Sequence, residues 1–598
     1  MTYRAPVDDM LFTMRHVAGL DRLIADGLAP ELADDLTEAV LEEAGKFAND
    51  VIAPLNRVGD THGAKLKDGR ITTPPGWKEA YKSWTEAGWN ALPAPEAFGG
   101  QGLPNLVQSA CIEMWNSASM AFALGPLLTA GAIEAVHAHG TDDLKRIYLA
   151  KLVSGEWMGT MNLTEPQAGS DLNALRSKAE PQADGSYKIT GTKIYITYGE
   201  HDLTDNIIHL VLARLPDAPA GTRGISLFLV PKFMVNADGS LGAHNDLRCS
   251  GIEHKLGIHA SPTCTMIFGD KGGATGYLIG QENRGLACMF TMMNNARLGV
   301  ALQGVAIAER AYQQALAYAN ERRQGRAPGE TGTTMSRIIA HPDVRRMLMD
   351  MRAKTRAARA ISYMTAEALD RSHRAKTPEA RKAAAERAAI LTPVAKAYAT
   401  DIGIDVASTG VQIHGGMGFV EETGAAQHLR DARIAAIYEG TNGIQAIDLV
   451  MRKLPLSGGD AVRDLIAEMR QIVKHVASAN SPTFGHAPGR LKAAVDALDR
   501  ATTWMQDAIV SKPDDALASA TAYLKLFALA QGGTALATKA LAARALMDEA
   551  DAVDETHAAR VITARFFAEH LASEATSLEL AVTEGAGAIN EAVAVFGA

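Results

Sequence analysis

The spacing of apolar residues changes twice along this chain, and these two changes limit the folds that it can adopt. Up to Ala150 the apolar side chains recur three or four positions apart, as they do in amphipathic helices. At about Trp157 this pattern gives way to short β-rich runs, and helical spacing returns from Gly285. The order helical, β, helical predicts a mainly α protein with a central β-domain.

The central runs are separated by Asp-Gly and Gly-Thr turns, which favours a compact antiparallel β-domain. We predict strands over Tyr187–Thr197, 207–215, 224–230 and Thr263–Phe268. After Gly285, further long helices are predicted near residues 343–371 and 378–410. A total of four long helices up to Leu454 is the content of a helical bundle.

A chain of 598 residues is too long for one hydrophobic core, so three or four domains are expected. Pro455-Leu-Ser-Gly-Gly459 interrupts the helical pattern, and alanine-rich helices follow it almost to Ala598. This tail contains no recognisable catalytic grouping, which favours a role in packing or assembly. We predict an N-terminal helical domain over 1–156, a β-domain over 157–284, a helical bundle over 285–455 and a C-terminal helical domain over 456–598.

Composition and charge exclude several classes of protein. A net charge of −9 without a dense basic tract argues against a nucleic-acid partner. No uninterrupted apolar run of about eighteen residues occurs, so no membrane span is expected, and the N-terminus lacks the apolar segment of a signal peptide. The 4 cysteines form no Cys-x-x-Cys pair, which predicts reduced thiols in a cytoplasmic protein.

Common catalytic and metal-binding motifs do not occur in the sequence. It has no Gly-x-Ser-x-Gly, no Walker lysine loop and no His-Glu-x-x-His. Ile413-His-Gly-Gly-Met-Gly418 partly matches a dinucleotide fingerprint, but it follows a helical pattern rather than a strand. His254 and His259 lie near Glu253 without a third ligand at a suitable spacing, so ordinary loop histidines are favoured and no metal is predicted.

One carboxylate, Glu439, stands between an apolar run at 434–438 and Gly440. A carboxylate in such surroundings loses hydration, so its pKa rises and it can act as a base near neutral pH. The glycine allows a turn and the close approach of a ligand. Taken alone, the pattern also suits a glutamate that caps a helix before a C-terminal glycine.

Arg297 falls within an apolar helical stripe that includes Met289, Phe290 and Val300. A guanidinium group in such a stripe must find a partner. The residues alone leave two alternatives open, a buried structural salt bridge and a contact with a ligand.

A second group of candidate residues comes from the β-domain. Met161-Asn-Leu-Thr-Glu-Pro-Gln-Ala-Gly-Ser-Asp-Leu172 leaves a strand and enters a Pro/Gly turn that exposes hydroxyls and main-chain N–H groups, including those of Thr164 and Ser170. Such a loop suits the edge of a flat heterocycle or a phosphate. Tyr195 and Thr197, two residues apart on a strand, share one side of it. Each of these features alone is also compatible with ordinary fold detail.

Taken together, these motifs resemble the acyl-CoA dehydrogenase family, over residues from about 40 to 455. The matching segments are Thr164-Glu-Pro-x-Ala-Gly-Ser-Asp171, Gly191-x-Lys-x-Tyr-Ile-Thr197, Glu321-Arg-Arg-Gln-Gly-Arg326, Gln412-Ile-His-Gly-Gly416, and Arg430-Asp431 through Ile437-Tyr-Glu-Gly-Thr441. The resemblance implies a helical domain, a β-barrel-like domain and a four-helix bundle, here with an appended C-terminal helical domain. The length, the N-terminal extension and the helical tail most resemble a bacterial subgroup that acts on 3-methylmercaptopropionyl-CoA.

The resemblance implies that the protein binds FAD. The flavin would lie between the β-domain and the bundle, with its pyrimidine edge met by Met161, Leu163 and Thr164. Thr197 would bond near flavin N5, and Tyr195 stands where the family has a tryptophan that packs against the ring.

Other site residues are implied in the same way. Ser170 resembles the residue at the pyrophosphate or CoA side, Thr441 a further FAD contact, and Arg297 the arginine near the acyl-CoA and the base. A homodimer at least is implied, because one group of family residues reaches the FAD of a neighbouring subunit. The corresponding residues here are Arg322, Gln324, Gln412 and Gly416. Gln324 is followed directly by Gly325 where the family has Phe-Gly, so the local adenosine contacts differ.

The implied reaction is the α,β-dehydrogenation of an acyl-CoA thioester. Some relatives carry the base beside the bundle arginine, but Asn295 and Ala296 occupy that neighbourhood, so the base falls to Glu439. Glu439 would remove the α-proton while the β-hydride passes to flavin N5, which leaves a trans-2-enoyl-CoA. An electron-transfer flavoprotein would reoxidise the flavin.

Several alternatives stay open from the sequence. The substrate would be 3-methylmercaptopropionyl-CoA or a saturated short-, medium- or long-chain acyl-CoA. An acyl-CoA oxidase has the same fold and base but transfers electrons to oxygen. A non-catalytic acyl-CoA-binding or assembly module is the alternative from another class.

Overall fold

The computed structural model describes residues 3–33, 35–479, 481–549 and 554–597, apart from the side chains of residues 292–294. The chain begins with helices that surround one long helix, Asn105–His139. A short hairpin, Lys65–Lys67 and Arg70–Thr72, lies among them. The other helices before the β-domain are Val7–Thr13, Met14–Ala18, Leu20–Ala25, Leu36–Phe47, Ala48–Ile52, Leu55–His62, Trp77–Glu86, Asp142–Leu144, Lys145–Leu149 and Ala150–Ser154.

The long helix Asn105–His139 has the length and composition of a membrane span, with a mean hydropathy of 1.5 over its most apolar window. Polar residues such as Asn116 and Ser117 interrupt its apolar sequence, in agreement with the absence of an uninterrupted apolar run of that length from the sequence. Other parts of the chain bury 83% of that window, so packing inside the protein accounts for its apolar character. No other helix of the described residues meets the same criteria.

The β-domain is an 8-stranded sheet. Its strands are Trp157–Asn162, Lys178–Pro181, Tyr187–Thr197, Asn206–Arg214, Ile225–Pro231, Leu247–Ile252, Thr263–Phe268 and Ala274–Ile279. A separate pair, Phe233–Val235 and Leu241–His244, lies beside it. The four predicted strands are all present, two of them with the predicted bounds.

The prediction of a purely antiparallel sheet is wrong at one edge. Trp157–Asn162 pairs in parallel with Asn206–Arg214, while Ile225–Pro231 pairs with the other side of Asn206–Arg214 in antiparallel orientation. Both faces of the central strands are covered. Leu210 and Leu212 pack with one hydrophobic cluster, and Val211 and Ala213 pack with another.

The bundle has three long helices, Gly285–Glu321, Pro342–Arg374 and Pro378–His414. The fourth long helix that the sequence predicts is interrupted, which corrects that prediction. Its parts are Ala425–Ala432, Asn442–Asp448 and Leu449–Lys453. The chain cannot stay helical between them because Glu439 and Gly440 have positive φ angles of 54° and 82°. Glu439 therefore lies in a break between helices.

The tail packs onto the bundle and the N-terminus. Its helices are Asp460–Ser478, Ala487–Ser511, Pro513–Glu549, Glu555–Phe566, Phe567–Leu571, Ala575–Glu584, Ala586–Glu591 and Val593–Phe596. Gly532 lies so close to Ala357 of the bundle that an added Cβ would be 3.0 Å from the alanine methyl. Buried Lys539 donates to Asp9 Oδ1 at 2.7 Å and to Thr13 Oγ1 at 2.8 Å, which ties the tail to the first helix.

Candidate active site

Glu439 lies on a turn whose carbonyl groups are held from several directions. Gln445 Nε2 donates to Glu439 O at 3.1 Å and to Gly440 O at 3.3 Å. Lys396 Nζ donates to Gly440 O at 2.8 Å. The next residue, Thr441, caps helix Asn442–Asp448 by accepting the Ile444 N–H at 3.2 Å. Glu439 thus precedes a helix. The alternative interpretation required it to cap the end of a helix, which it does not do.

The Glu439 side chain is half-buried, so dense protein surrounds it while a path to a ligand remains. Burial raises the pKa of its carboxyl group, and the nearby charges of Arg297 and Lys396 oppose that rise without cancelling it. Its main-chain N–H donates to no acceptor among the described residues. The turn therefore combines a carboxylate of raised basicity with a free main-chain donor.

Arg297 is buried on helix Gly285–Glu321 and forms a salt bridge with Asp448, with Nη1 3.2 Å from Oδ2. Asp448 also lies 3.3 Å from Arg452 Nε. The Arg297 Nε group has no hydrogen-bond partner in the described part of the chain. The structural salt bridge left open by the sequence is present, and part of the guanidinium stays free for a ligand.

The loop that begins at Leu163 is fixed to the strand Tyr187–Thr197 by a buried ion pair. Lys193 Nζ donates to Glu165 Oε1 at 2.8 Å and to Leu163 O at 3.0 Å. The main chain adds a bond from Ile194 N–H to Thr164 O at 2.9 Å. Burial lowers the pKa of Lys193 to about 8. Burial also favours a higher pKa for Glu165, but Lys193 and further hydrogen bonds outweigh it and lower that pKa to about 2.

This arrangement places the predicted flavin residues of the β-domain together. Tyr195 is 60% exposed, has a φ of 60° and sits where the strand pairing shifts register. Thr197 is half-buried, and its carbonyl accepts from Thr160 Oγ1 at 2.6 Å. Met161 is buried and Thr164 is half-buried beside this strand.

These residues fit a flat heterocycle. The exposed Tyr195 ring offers an aromatic surface, and Thr164 and Thr197 offer hydroxyl groups on neighbouring stretches of the chain. A Cβ added to Gly169 would meet no protein atom within 4 Å, so open space adjoins the exposed Ser170. FAD needs such an aromatic face and polar edge partners for its isoalloxazine ring, and open space for its diphosphate.

A separate group of predicted residues lies at the other end of the bundle. Tyr318 and His414 stack with ring centroids 4.4 Å apart, which brings the segment after Glu321 near the end of helix Pro378–His414. Arg322, Gln324, Gln412 and Gly416 are exposed there. The structure therefore places the predicted site residues in three groups, around Tyr195, around Glu439 and around the Tyr318–His414 stack.

The Arg430-Asp431 motif joins the bundle to the other domains. Asp431 Oδ1 accepts the Ile258 N–H at 2.5 Å, and Arg430 Nη2 lies 2.6 Å from Asp60 Oδ2. Burial raises the pKa of Asp431 to about 6. Ile258 precedes the strand Thr263–Phe268, whose first residue pairs with Thr197. The motif thus holds the β-domain loop in place against the bundle.

A cavity of about 450 Å³ lies between helix Asn105–His139 and the bundle. Asn295 and Ala296, next to Arg297, line it, and Asn295 Nδ2 donates to Glu134 in its wall. Burial raises the pKa of Glu134 to about 7. The residues where some relatives carry a base therefore line a cavity instead.

His259 accepts or donates hydrogen bonds with Asp60 O and Lys255 O, each at 3.0 Å. These main-chain partners suit a loop histidine. Among the residues that the structure describes, no three His, Cys, Asp or Glu side chains are grouped as metal ligands.

The sequence did not reveal the residues that hold the site residues in position without forming the surface of the site. They are Glu165, Lys193, Lys396, Asn442 and Gln445, together with Gln303, which accepts a hydrogen bond from the Tyr438 hydroxyl next to Glu439. One signal was available, since Lys396 is a single charge in the apolar stretch 390–399, and a buried lysine requires partners.

Four sequence-family models match the chain: the acyl-CoA dehydrogenase N-terminal domain at residues 34–156, the middle domain at 160–271, the C-terminal domain at 283–454, and the acetyl-CoA dehydrogenase C-terminal-like domain at 465–592. A 3-methylmercaptopropionyl-CoA dehydrogenase from Ruegeria pomeroyi is 46% identical over 98% of both chains. A broad-specificity linear acyl-CoA dehydrogenase from Mycobacterium tuberculosis is 34% identical over 84% of this chain and 82% of its own.

A solved structure shares the fold over nearly the whole chain. It is an acyl-CoA dehydrogenase from Bacillus anthracis complexed with FAD, with a TM-score of 0.73. The match covers 93% of this chain and 89% of that one at 21% identity, and it therefore supports the fold alone.

Proposed function

Because this chain belongs to the acyl-CoA dehydrogenase family of FAD-dependent oxidoreductases, we propose that Glu439 is its catalytic base and that 3-methylmercaptopropionyl-CoA is its substrate. The family assignment makes the protein an enzyme that dehydrogenates an acyl-CoA thioester. The alternative of a non-catalytic binding module is therefore wrong. The identity of the base is inferred from the site, and that of the acyl group from the similarity to a relative.

The observation that carries the proposal is the setting of Glu439. It is a half-buried carboxylate whose pKa is raised by burial, on a turn that Gln445 and Lys396 hold in a left-handed conformation. A base for a weakly acidic carbon must approach the basicity of that carbon, and burial supplies this. The free Glu439 N–H can donate to the thioester oxygen as negative charge develops there.

The residues around Tyr195 would hold the flavin of FAD. Met161, Leu163 and Thr164 would meet one edge of the ring, and Thr197 would lie beside it. When bound, FAD supplies the acceptor for the hydride that leaves the acyl chain. This chain's own residues orient the ring, exclude water and hold the base that takes the proton.

Three further residues have more limited roles in the proposal. Ser170 is exposed next to open space, as suits the diphosphate or CoA side. Thr441 accepts one hydrogen bond with its hydroxyl oxygen to cap a helix, and its O–H remains available as a donor to FAD. Arg297 would stabilise negative charge near the base through the part of its guanidinium that Asp448 does not engage.

The substrate proposal is supported by the 46% identity to the Ruegeria pomeroyi enzyme over 98% of both chains. A linear saturated acyl-CoA is a second candidate, because Asn295 and Ala296, the residues before Arg297, line a cavity of about 450 Å³. A panel of acyl-CoA thioesters assayed with an artificial electron acceptor decides between them. Highest kcat/KM with the sulfur-containing thioester supports the first candidate, and kcat/KM that rises with chain length supports the second.

We propose an electron-transfer flavoprotein as the physiological electron acceptor. The intact dehydrogenase motifs support this proposal. The alternative, an acyl-CoA oxidase, would transfer the electrons to oxygen. Purified enzyme that turns over with oxygen as its sole acceptor would establish an oxidase.

We also propose that the enzyme is a homodimer or a larger homo-oligomer. Phe419 is 89% exposed and Met417 is 51% exposed, and both adjoin the exposed Gln412 and Gly416. An apolar surface beside predicted FAD contacts suits a second copy of the chain. Light scattering on the purified holoenzyme measures its mass.

A cytoplasmic location is proposed from the free, buried cysteines.

A further inference from the structure

Lys396 lies fully buried on helix Pro378–His414 and reaches the turn that carries Glu439. Its ammonium group donates to Gly440 O at 2.8 Å and to Asn442 Oδ1 at 2.9 Å. These acceptors lie one and three residues after Glu439 in the chain. A buried ammonium group is costly, so these two bonds explain how the lysine is accommodated but not why a charge is placed there.

The same helix holds the turn through a second residue. Asn442 Nδ2 donates to Asp401 Oδ1 at 2.7 Å and to Thr400 Oγ1 at 3.0 Å. These bonds fix the side chain that also accepts from Lys396. The φ of 54° at Glu439 is unfavourable for a non-glycine residue and persists only where the surroundings hold it. Lys396 is central to those surroundings because it binds both the Gly440 carbonyl group and the Asn442 side chain.

We propose that Lys396 is a positioning residue, which holds the strained Glu439 turn in its active conformation and keeps a positive charge beside the carboxylate. This inference rests on Glu439 as the catalytic base. Lys396 itself touches neither substrate nor FAD in this proposal, since its donors are directed to the protein.

The charges that face Glu439 come from two helices. Arg297 approaches from Gly285–Glu321, and Asp448 neutralises part of its charge. Lys396 approaches from Pro378–His414, where Asp401 is its other charged neighbour. Removal of the Lys396 charge disfavours the Glu439 carboxylate, so the protonated base persists to higher pH.

The test is the pH dependence of flavin reduction by acyl-CoA in a single turnover of the holoenzyme. In Lys396→Met we expect the acidic limb of the rate profile to move up by about one pH unit. We also expect the plateau rate to fall about tenfold, because the turn loses a tether. Lys396→Arg keeps the charge and donors, and should restore the position of the limb. If Lys396→Met does not yield a folded flavoprotein, Lys396→Gln replaces it with the same expected limb shift.

Lys539→Met is the matched control. Lys539 is an equally buried lysine bound to Asp9 and Thr13 between the tail and the N-terminus. Its loss should lower stability and leave the acidic limb at the wild-type pH. A limb and plateau in Lys396→Met that match the wild type would overturn the proposal. Flavin reduction that persists in Glu439→Gln would instead show that Glu439 is not the base. A failure of the Lys396 proposal can therefore be told apart from a failure of the Glu439 assignment.

Discussion

The ammonium group of Lys193 lies 2.8 Å from Glu165 Oε1, and both side chains are almost completely buried. Glu165 also accepts the Arg176 N–H at 2.7 Å and the Ser177 hydroxyl at 2.6 Å. The pair therefore joins the two halves of the predicted flavin surface, the loop after Leu163 and the strand that carries Tyr195.

Lys193→Met should destabilise the protein by about 3–5 kcal/mol, since it leaves a buried carboxylate without its partner. The loop would lose its fixed position, so the flavin content of the purified protein should fall as well. Urea unfolding and the flavin absorbance measure the two effects. Lys151→Met is the control, because its pair with Glu156 is exposed and worth about 0–1 kcal/mol. Normal flavin content in Lys193→Met would show that the pair does not fix the loop.

The stability of the protein should depend on pH through Asp431. Burial raises its pKa from 3.8 to about 6, so the folded protein favours the protonated form of this carboxyl group. Its contribution is fully present below about pH 4 and is lost as the pH rises through 6, by about 3 kcal/mol in total. Asp431→Asn keeps an acceptor for the Ile258 N–H and should remove this part of the pH dependence of the melting temperature.

Asp202→Asn is the control for that measurement. Burial favours a higher pKa for Asp202, but hydrogen bonds from Thr73 and Lys78 outweigh it and lower the pKa. Its stabilising effect is therefore present above its unfolded pKa and lost in acid, the opposite direction to that of Asp431. Equal slopes of stability against pH in Asp431→Asn and the wild type between pH 4 and 7 would contradict the assignment.

The cavity lined by Asn295 and Ala296 leads to a prediction about acyl chain length. Ala296→Leu would place a larger side chain in a wall of this cavity. If the end of a long acyl chain lies there, kcat/KM for long-chain thioesters should fall about 10-fold or more, while short thioesters are little affected. Steady-state assays across chain lengths provide the measurement, with the short thioesters as an internal control. An equal loss for every chain length would mean that the cavity does not receive the acyl chain.

Much of the fold could be predicted because the signals are local. The strand Tyr187–Thr197 follows from its β-rich run and flanking turns, and the buried setting of Glu439 follows from the apolar residues before it. The parallel pairing of Trp157–Asn162 could not be predicted in this way, because an apolar pattern does not encode strand direction.

The break in the fourth bundle helix has a different cause. Residues 434–438 have helical spacing, but Lys396 and Gln445 bind the carbonyl groups of the next two residues and hold them out of a helix. Lys396 is 43 residues before Glu439 in the sequence, so this influence becomes visible only when the helices are packed. For the same reason, the sequence indicated the base but not the residues that hold it.

Flavin bleaching in Glu439→Gln tests the central claim most directly. The amide removes the proton acceptor and keeps the size of the side chain, so the variant should bind FAD and be yellow. Anaerobic addition of acyl-CoA should bleach the wild-type flavin and leave the spectrum of the variant unreduced, with a rate lower by several orders of magnitude. Bleaching of Glu439→Gln at the wild-type rate would contradict the account.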